Sequence, residues 1–511
     1  MHIEFHINKK FKYYFMVLLC GAVSAASFYC DYLWFFIFLS LSSFIYIVLK
    51  YYNKLLTFIF IYSFSYQFSC NIWLLKIGSY IIRNKILAIG VSVLMLLVIS
   101  LLLSLLFSFP FLIYRPKGCE RKSAIICTLP FVYILGEWLQ GIFRPFAYPW
   151  ARLCNIVATD YLFIQSASVL GGLFISLLIA FICTLTAYSF LNRQNFKKYL
   201  MFAGAFLYIL NIFYGYKEIK SLNIHESEAT EILLIQPDIS RTEKWSMKSE
   251  DTIAKYIQLT KNNINSNTKI VFFSETALSA KIFSDKNFGK ELYETARRNN
   301  ITVVLGAQYN CNDKKYNAAV AIYPDSCCSE VYMKQVLVPF GEYAPFSLFG
   351  KHQFISQPFS RGEKNILIKT EYGDIGCGIC FESAFPEIIS ENTQLGADVI
   401  SILTNDSWLG NSIPLYQHHS HSVLRAVENR KYVINCANTG ISSVISPYGN
   451  IISSLETNQE NTLHSFFKSN NIKTTYSHYG DIIIIPSCII IFVFSVKIIA
   501  IRIKEIRTAF K

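Results

Sequence analysis

Eight stretches of this chain, 11–29, 33–49, 55–75, 86–114, 123–140, 162–190, 199–214 and 482–501, are almost wholly apolar. Most reach the roughly 20 residues a helix needs to cross hydrocarbon; 199–214 is short and 86–114 long. No soluble fold has an interior for that many such segments. The chain is therefore expected to be a polytopic α-helical membrane protein of about eight transmembrane helices, seven before a large polar block and one after it. Only 16% of its residues are charged, against roughly 25% in ordinary globular chains.

Charge placement orients the spans. Lys9, Lys10 and Lys12 stand at the start of the first run, Lys50 and Lys54 follow the second, and Arg115, Lys117, Arg121 and Lys122 follow the fourth. Arg193, Lys197 and Lys198 follow the sixth; Arg502, Lys504, Arg507 and Lys511 follow the last. The alternate loops hold fewer, chiefly Lys76, Arg83, Lys85, Arg144 and Arg152. Positive loops stay on the cytoplasmic side, so both termini are expected there and the polar block outside. That block, 215–480, carries 25 Lys+Arg and 27 Asp+Glu, so the net charge of +13 belongs to the apolar parts. It is a membrane signature and no nucleic-acid footprint. The first run, Lys-rich and followed by "AVSAAS", has the outline of a cleaved signal peptide. A second apolar run begins almost at once, which favours an uncleaved span. Of the 14 cysteines, seven sit in or beside apolar runs, and the six of the polar block show no disulfide spacing.

Within 215–480, short β-rich runs such as "EILLIQPDI", "KIVFFSE", "ITVVLGAQY", "IGCGICF" and "ADVISILTN" alternate with helical patterns at 249–263, 287–298 and 416–431. About 260 residues in that order predict one α/β domain with layered sheets. The expected domains are thus 1–214 (membrane), 215–480 (catalytic) and 481–511 (last span and tail).

Three polar residues stand at or near the ends of apolar strands: Glu275, Lys334 and Cys380. A lysine beside a cysteine lowers the thiol pKa, and a carboxylate can take its proton. Singly, each is more often structural than catalytic. Cys377 and Cys380 also spell C-x-x-C, the form of a redox dithiol or half a zinc site. On a continuous strand, i and i+3 face opposite ways, no second pair completes a metal site, and redox pairs open a helix. His418 and His421 of "QHHSH" share a helix face, but an exposed or networked pair is the plainer reading. A nucleophilic Cys380 with Cys377 as bystander is expected, with no metal.

Taken together, "SET", "MKQVLVPFGEYAP", "GICFESAFPE", "TNDSW" and "RAVENRKYVINCANTGISSVISPYG" resemble the nitrilase superfamily. With the apolar runs, nearly the full length is similar to its membrane-bound branch, the apolipoprotein N-acyltransferases. The resemblance implies a four-layer αββα periplasmic domain on a bacterial inner-membrane anchor. It implies Glu275 as general base, Lys334 as the lysine that orients the thiolate and holds the oxyanion, and Cys380 as nucleophile. Glu342 and Glu382 match supporting carboxylates. Trp245, Trp408, Trp150, Glu137 and Trp138 match positions around a lipid entrance, and Phe340, Tyr343 and Phe346 are candidates for an apolar lid, with core packing nearly as good an account. Ser274, where the family usually has proline, implies a slightly looser turn; Phe381 replaces a common tyrosine.

The implied reaction moves a fatty acyl chain from the sn-1 position of a phospholipid to the α-amine of a diacylglyceryl-cysteine apolipoprotein, through a Cys380 thioester. It needs no cofactor, and a monomer suffices. A membrane-tethered amidase with the same three residues and water as acceptor is the alternative. A transporter fits poorly, because the spans carry few ionisable residues beyond Glu137.

Overall fold

The computed structural model describes residues 9–29, 33–82, 84–113, 121–144, 146–191, 198–221, 228–240, 243, 247–285, 287–343, 358–410 and 412–509. The chain divides into two compact units, 1–217 with 481–511, and 218–480.

The first unit is helical. Each apolar run holds a helix: α1 (Lys9–Ala26), α2 (Phe36–Lys50), α3 (Leu55–Cys70), α4 (Lys85–Ile113), α5 (Arg121–Ile142), α6 (Gly172–Leu191), α7 (Lys198–Ser221) and α12 (Ile484–Ala509). Four of these, α4 to α7, are long and apolar enough to cross a membrane. A fifth crossing arises if α2 and α3 form one span, broken by a 104° bend. At 15 and 16 residues neither α2 nor α3 reaches across alone, since 1.5 Å per residue gives only about 24 Å. The apolar stretches within α1 and α12, Phe11–Ala26 and Ile484–Lys497, are shorter. Thus eight apolar runs give eight helices, but four or five crossings by length and composition among the described residues.

Outward faces are apolar: Ile86, Ile89, Leu94 and Phe109 on α4 are all more than half exposed. Inside, small and polar side chains join the helices, as packing in lipid favours. The Ser24 hydroxyl is 2.8 Å from that of Ser40 and 2.9 Å from Tyr62. Gln140 donates to the Leu103 carbonyl at 2.9 Å.

The second unit contains two six-stranded sheets. One has strand order β12-β1-β2-β3-β4-β5, the other β11-β10-β9-β8-β7-β6. In the first, β1 (Thr230–Gln236), β2 (Ile270–Phe273) and β3 (Thr302–Cys311) are parallel; β4 (Lys314–Ile322), β5 (Tyr332–Met333) and β12 (Asn461–Phe467) pair antiparallel. In the second, β7 (Ile375–Ile379), β8 (Val399–Thr404) and β9 (Tyr432–Ala437) are parallel, and β6 (Leu367–Ile368), β10 (Ser443–Ile445) and β11 (Ile451–Ser454) antiparallel.

Period-two alternation on strands buried on both faces makes the layers. Ile232, Leu234, Ile270, Phe272 and Val304 meet Ile375, Ile379, Val399 and Leu403 of the other sheet. The intervening Leu233, Ile235, Val271, Phe273 and Val303 pack on Ile253, Tyr256 and Ile257 of α8 (Ser249–Asn263) and Leu292 and Ala296 of α9 (Lys290–Asn299). On the far side, α10 (Pro386–Leu395) packs on β7 and α11 (Ile413–Asn429) on β9. The order is α, β, β, α, and doubly buried strands explain the near-continuous apolar runs.

Candidate active site

Parallel strands deliver three of the polar residues at their carboxyl ends, where α/β folds place their sites, and the antiparallel β5 delivers the fourth. Glu275 lies two residues beyond β2, Cys380 directly after β7, Asp406 two residues beyond β8, and Lys334 directly after β5. All four are buried: Lys334 is 1% exposed, Cys380 and Asp406 4%, and Glu275 6%.

Lys334 is the centre of the cluster. Its Nζ donates to Glu275 Oε1 and to Glu342 Oε1, each at 3.0 Å. The Asn317 amide donates to the same two oxygens, at 2.7 and 2.8 Å. Burial works against the ammonium, but Glu275 and Glu342 outweigh it and hold the Lys334 pKa well above its ordinary value. Glu342 is fixed from its other oxygen by the Val338 N–H at 2.8 Å.

Cys380 leaves the strand with φ +52° and opens a 3₁₀ turn over Cys380–Ala384. A non-glycine residue in that region stores strain, and such strain concentrates at functional sites. Thr276, beside Glu275, has φ +46°. The backbone under Glu275 is closely packed: a Cβ on Gly306 would sit 2.5 Å from the Ser274 carbonyl and 2.7 Å from Glu275 Cα. The Ser274 hydroxyl lies 2.7 Å from Tyr256 OH, so serine at this position ties the turn to α8 and does not loosen it.

Two expectations about the cysteines are corrected. Cys380 is not on the strand, so the i, i+3 alternation does not apply; Cys377 and Cys380 both face the inter-sheet core. The Cys380 thiol is also not lowered overall. Burial pushes it well above the ordinary thiol value and Glu275 adds to that, while Lys334 and a hydrogen bond with Thr404 pull it down. A resting thiol of this kind is neutral and needs a base at the moment of attack. Cys377 is a free, buried thiol, pushed up to about 12 by burial and then by Glu382.

Glu382 holds the turn together. Its Oε1 accepts from the N–H groups of Gln335 (2.6 Å) and Val336 (3.0 Å), and its Oε2 from Ile379 N–H and Tyr332 OH, both at 2.8 Å. Those four bonds link the Lys334 segment to the Cys380 turn. Burial raises its pKa, with Lys334 and the three N–H groups drawing it back.

The motif reading missed Asp406 and His418. His418 Nδ1 is 2.9 Å from Asp406 Oδ1 and its Nε2 is 3.0 Å from the Cys380 carbonyl. The Asp406 oxygen also accepts from Thr404 at 3.2 Å. One potential ligand atom from each of Cys380, Asp406 and His418 lies within 4.8 Å of the other two. Both ring nitrogens lie at hydrogen-bond distance from oxygen atoms, which joins Asp406, His418 and the Cys380 carbonyl in one chain. His418, His419 and His421 are all buried, so of the exposed or networked pair expected, His418 is networked and not exposed. The available signal was "TNDSW" at a strand end, followed by a histidine-bearing helix.

His419 makes a pH prediction. Its Nε2 is 2.8 Å from Ser443 Oγ, and burial, then the neighbouring His418, lower its pKa to about 4. An unfolded histidine takes its proton near 6.5. Between those values the unfolded chain binds more protons, so stability falls as pH drops from 6.5 towards 4, by about 3 kcal/mol at most. Thermal unfolding followed from pH 7.5 to 4.5 checks this, and His419→Gln is expected to flatten the dependence.

The other candidates divide. Trp408 is half-buried and donates from Nε1 to the Asn405 carbonyl at 3.1 Å. Phe340 is 52% exposed with φ +63°, and the Tyr343 hydroxyl accepts from Arg361 at 3.2 Å, so this segment is surface and not core. Trp245 and Phe346 lie outside the described residues. Glu137, Trp138 and Trp150 belong to the first unit. There Glu137 and Trp150 are buried, and Glu137 Oε1 accepts from Leu153 N–H at 2.8 Å. Trp138 is half-buried against Ile134 and Leu173.

Comparison with known proteins agrees with this division. Residues 234–475 match the carbon-nitrogen hydrolase family, and residues 20–185 match the apolipoprotein N-acyltransferase N-terminal domain. The apolipoprotein N-acyltransferase of Geobacter metallireducens is 28% identical over 406 residues, 75% of this chain and 77% of that one. That of Rickettsia bellii is 30% identical over 381 residues, 71% and 74% of the two chains. That of Aquifex aeolicus is 30% identical over 338 residues, 64% and 73%. With a hydrolase-type catalytic unit, an apolar helical unit and relatives matched over about three quarters of their length, the chain belongs to the apolipoprotein N-acyltransferase family of enzymes.

Proposed function

We propose that Cys380 carries the acyl group as a thioester. The observation that supports this most is the convergence of Glu275, Lys334 and Cys380 at strand ends, with the Lys334 ammonium 3.0 Å from the Glu275 carboxylate. Glu275 takes the thiol proton as Cys380 Sγ attacks the sn-1 ester carbonyl of a phospholipid. Lys334 balances the oxyanion. The C–O bond breaks, the proton passes to the departing oxygen, and lysophospholipid leaves. The free α-amine of a diacylglyceryl-cysteine apolipoprotein then attacks the thioester. It loses a proton to Glu275, forms the amide and returns the thiol. One thiol serving two substrates in turn implies ping-pong kinetics. No cofactor enters.

We place the enzyme as a monomer in the bacterial inner membrane, with unit 218–480 on the periplasmic side and both termini in the cytoplasm. The basic loops support that orientation. The acyl donor lies at the bilayer surface, which explains why a hydrolase-type unit is joined to apolar helices.

Mass spectrometry of the purified enzyme incubated with phospholipid alone tests the reading. A fatty-acyl adduct is expected on Cys380, removed by neutral hydroxylamine, retained in Cys377→Ala and absent from Cys380→Ala. A diacylglyceryl-cysteine peptide is expected to discharge it as amide. Release as free fatty acid, with the peptide unmodified, would instead establish an amidase-like hydrolase.

A further inference from the structure

We propose that Asp406 and His418 are a charged positioning pair for Cys380, with His418 held as an imidazolium that provides a second cation beside the sulfur. The proposal rests on the reading of Cys380 as nucleophile.

The argument begins with hydrogen-bond chemistry. A backbone carbonyl only accepts, so His418 Nε2, 3.0 Å from the Cys380 oxygen, must carry a proton. Nδ1 is 2.9 Å from a carboxylate oxygen, which accepts a second bond from the Thr404 hydroxyl. A neutral ring has one N–H and would turn a lone pair towards that oxygen. Both bonds form together when the ring is doubly protonated and Asp406 is ionised. Burial opposes the charge, but Asp406 more than offsets it, and the His418 pKa lies above its ordinary value.

The charge balance gives this cation a purpose. Lys334 is paired with Glu275 and Glu342, and a carboxylate oxygen of Asp406 lies within 4.8 Å of the sulfur. When Glu275 takes the thiol proton, Lys334 alone would have to balance Glu342, Asp406 and the thiolate. The groups that bear on His418 are Asp406 from the end of β8, Glu275 from the end of β2, Cys380 from its turn and His419 on its own helix. Arg425 on the same helix donates to the Ser383 carbonyl and is paired with Glu428, so among these groups His418 is the cation paired with Asp406. Its bond to the Cys380 carbonyl also holds the residue in the left-handed region that aims the sulfur.

The test follows the rate of iodoacetamide alkylation of Cys380 against pH, read on its own peptide by mass spectrometry, in full-length enzyme in nanodiscs. Altered access scales the curve vertically; altered charge displaces it along the pH axis. His418→Gln keeps a donor for the carbonyl but loses the charge. It is expected to displace the curve upward by roughly one to three pH units, a ten- to thousandfold lower rate at pH 8. An undisplaced curve in a folded variant overturns the proposal.

Asp406→Asn gives an independent sign. Removing a lone anion beside a thiol moves its curve to lower pH. If Asp406 is what charges His418, the cation is lost with the anion, and the curve does not move down. A downward displacement by one pH unit or more overturns the proposal, and its absence supports it, whether or not His418→Gln folds. Failure of Cys380 to react at any pH in the wild type would remove the nucleophile reading as well, which sets that outcome apart from the other two.

Discussion

Lys334→Met is expected to abolish thioester formation, lowering its rate by about 10²–10³-fold, the usual cost of one oxyanion donor, and further through its effect on Glu275. Methionine keeps the length and apolar stem of the side chain and removes only the ammonium. Glu275 Oε1 and Glu342 Oε1 are then left around a single amide donor, Asn317. Two buried carboxylates so close do not both stay ionised, and one takes up a proton. Where that proton sits on Glu275, the base is lost. Breaking a buried pair by deleting one partner typically costs about 3–5 kcal/mol, so a lower melting temperature is expected as well. Single-turnover acylation, measured with the melting temperature, checks both. Near-normal acylation would mean that Lys334 is a structural counter-ion and that the oxyanion is held elsewhere.

Glu382→Ala is expected to act through the fold. Its carboxylate accepts four hydrogen bonds, three from backbone N–H groups and one from Tyr332, and it is fully buried. Alanine orphans all four donors. At about 1–3 kcal/mol for each, the loss is at least about 4 kcal/mol, enough to unfold a marginal unit. Glu382→Gln keeps one acceptor oxygen and is expected to be milder. The measurement is unfolding of the variants in detergent, alongside acylation of Cys380. An alanine variant that melts like the wild type but does not acylate would move Glu382 from the support of the turn into the chemistry.

These two residues show where sequence reading reaches and where it stops. Glu275, Lys334, Glu342 and Cys380 were singled out because each is a reactive type at or near the end of an apolar strand or in a motif. In the structure, three of them share direct hydrogen bonds. Glu382 was read from its motif alone, and nothing in "GICFE" shows that its oxygens turn back to bind Gln335 and Val336, some 46 residues upstream. His418 was passed over because "QHHSH" on a helix has several faces, and only packing decides which one meets the nucleophile turn.

Local pattern determined the apolar helices, the strand runs of the α/β unit and the types of reactive residue, because each depends on side-chain periodicity or on covalent chemistry. Strand β12, whose sequence "NTLHSFF" does not alternate polar with apolar, escaped, and its partner β1 is over 200 residues away. Tertiary structure decided the rest. The left-handed turn at Cys380 set aside the alternation argument, and burial raised a thiol that a neighbouring lysine alone would have lowered. Each is a sum over neighbours distant in sequence, which no local window contains.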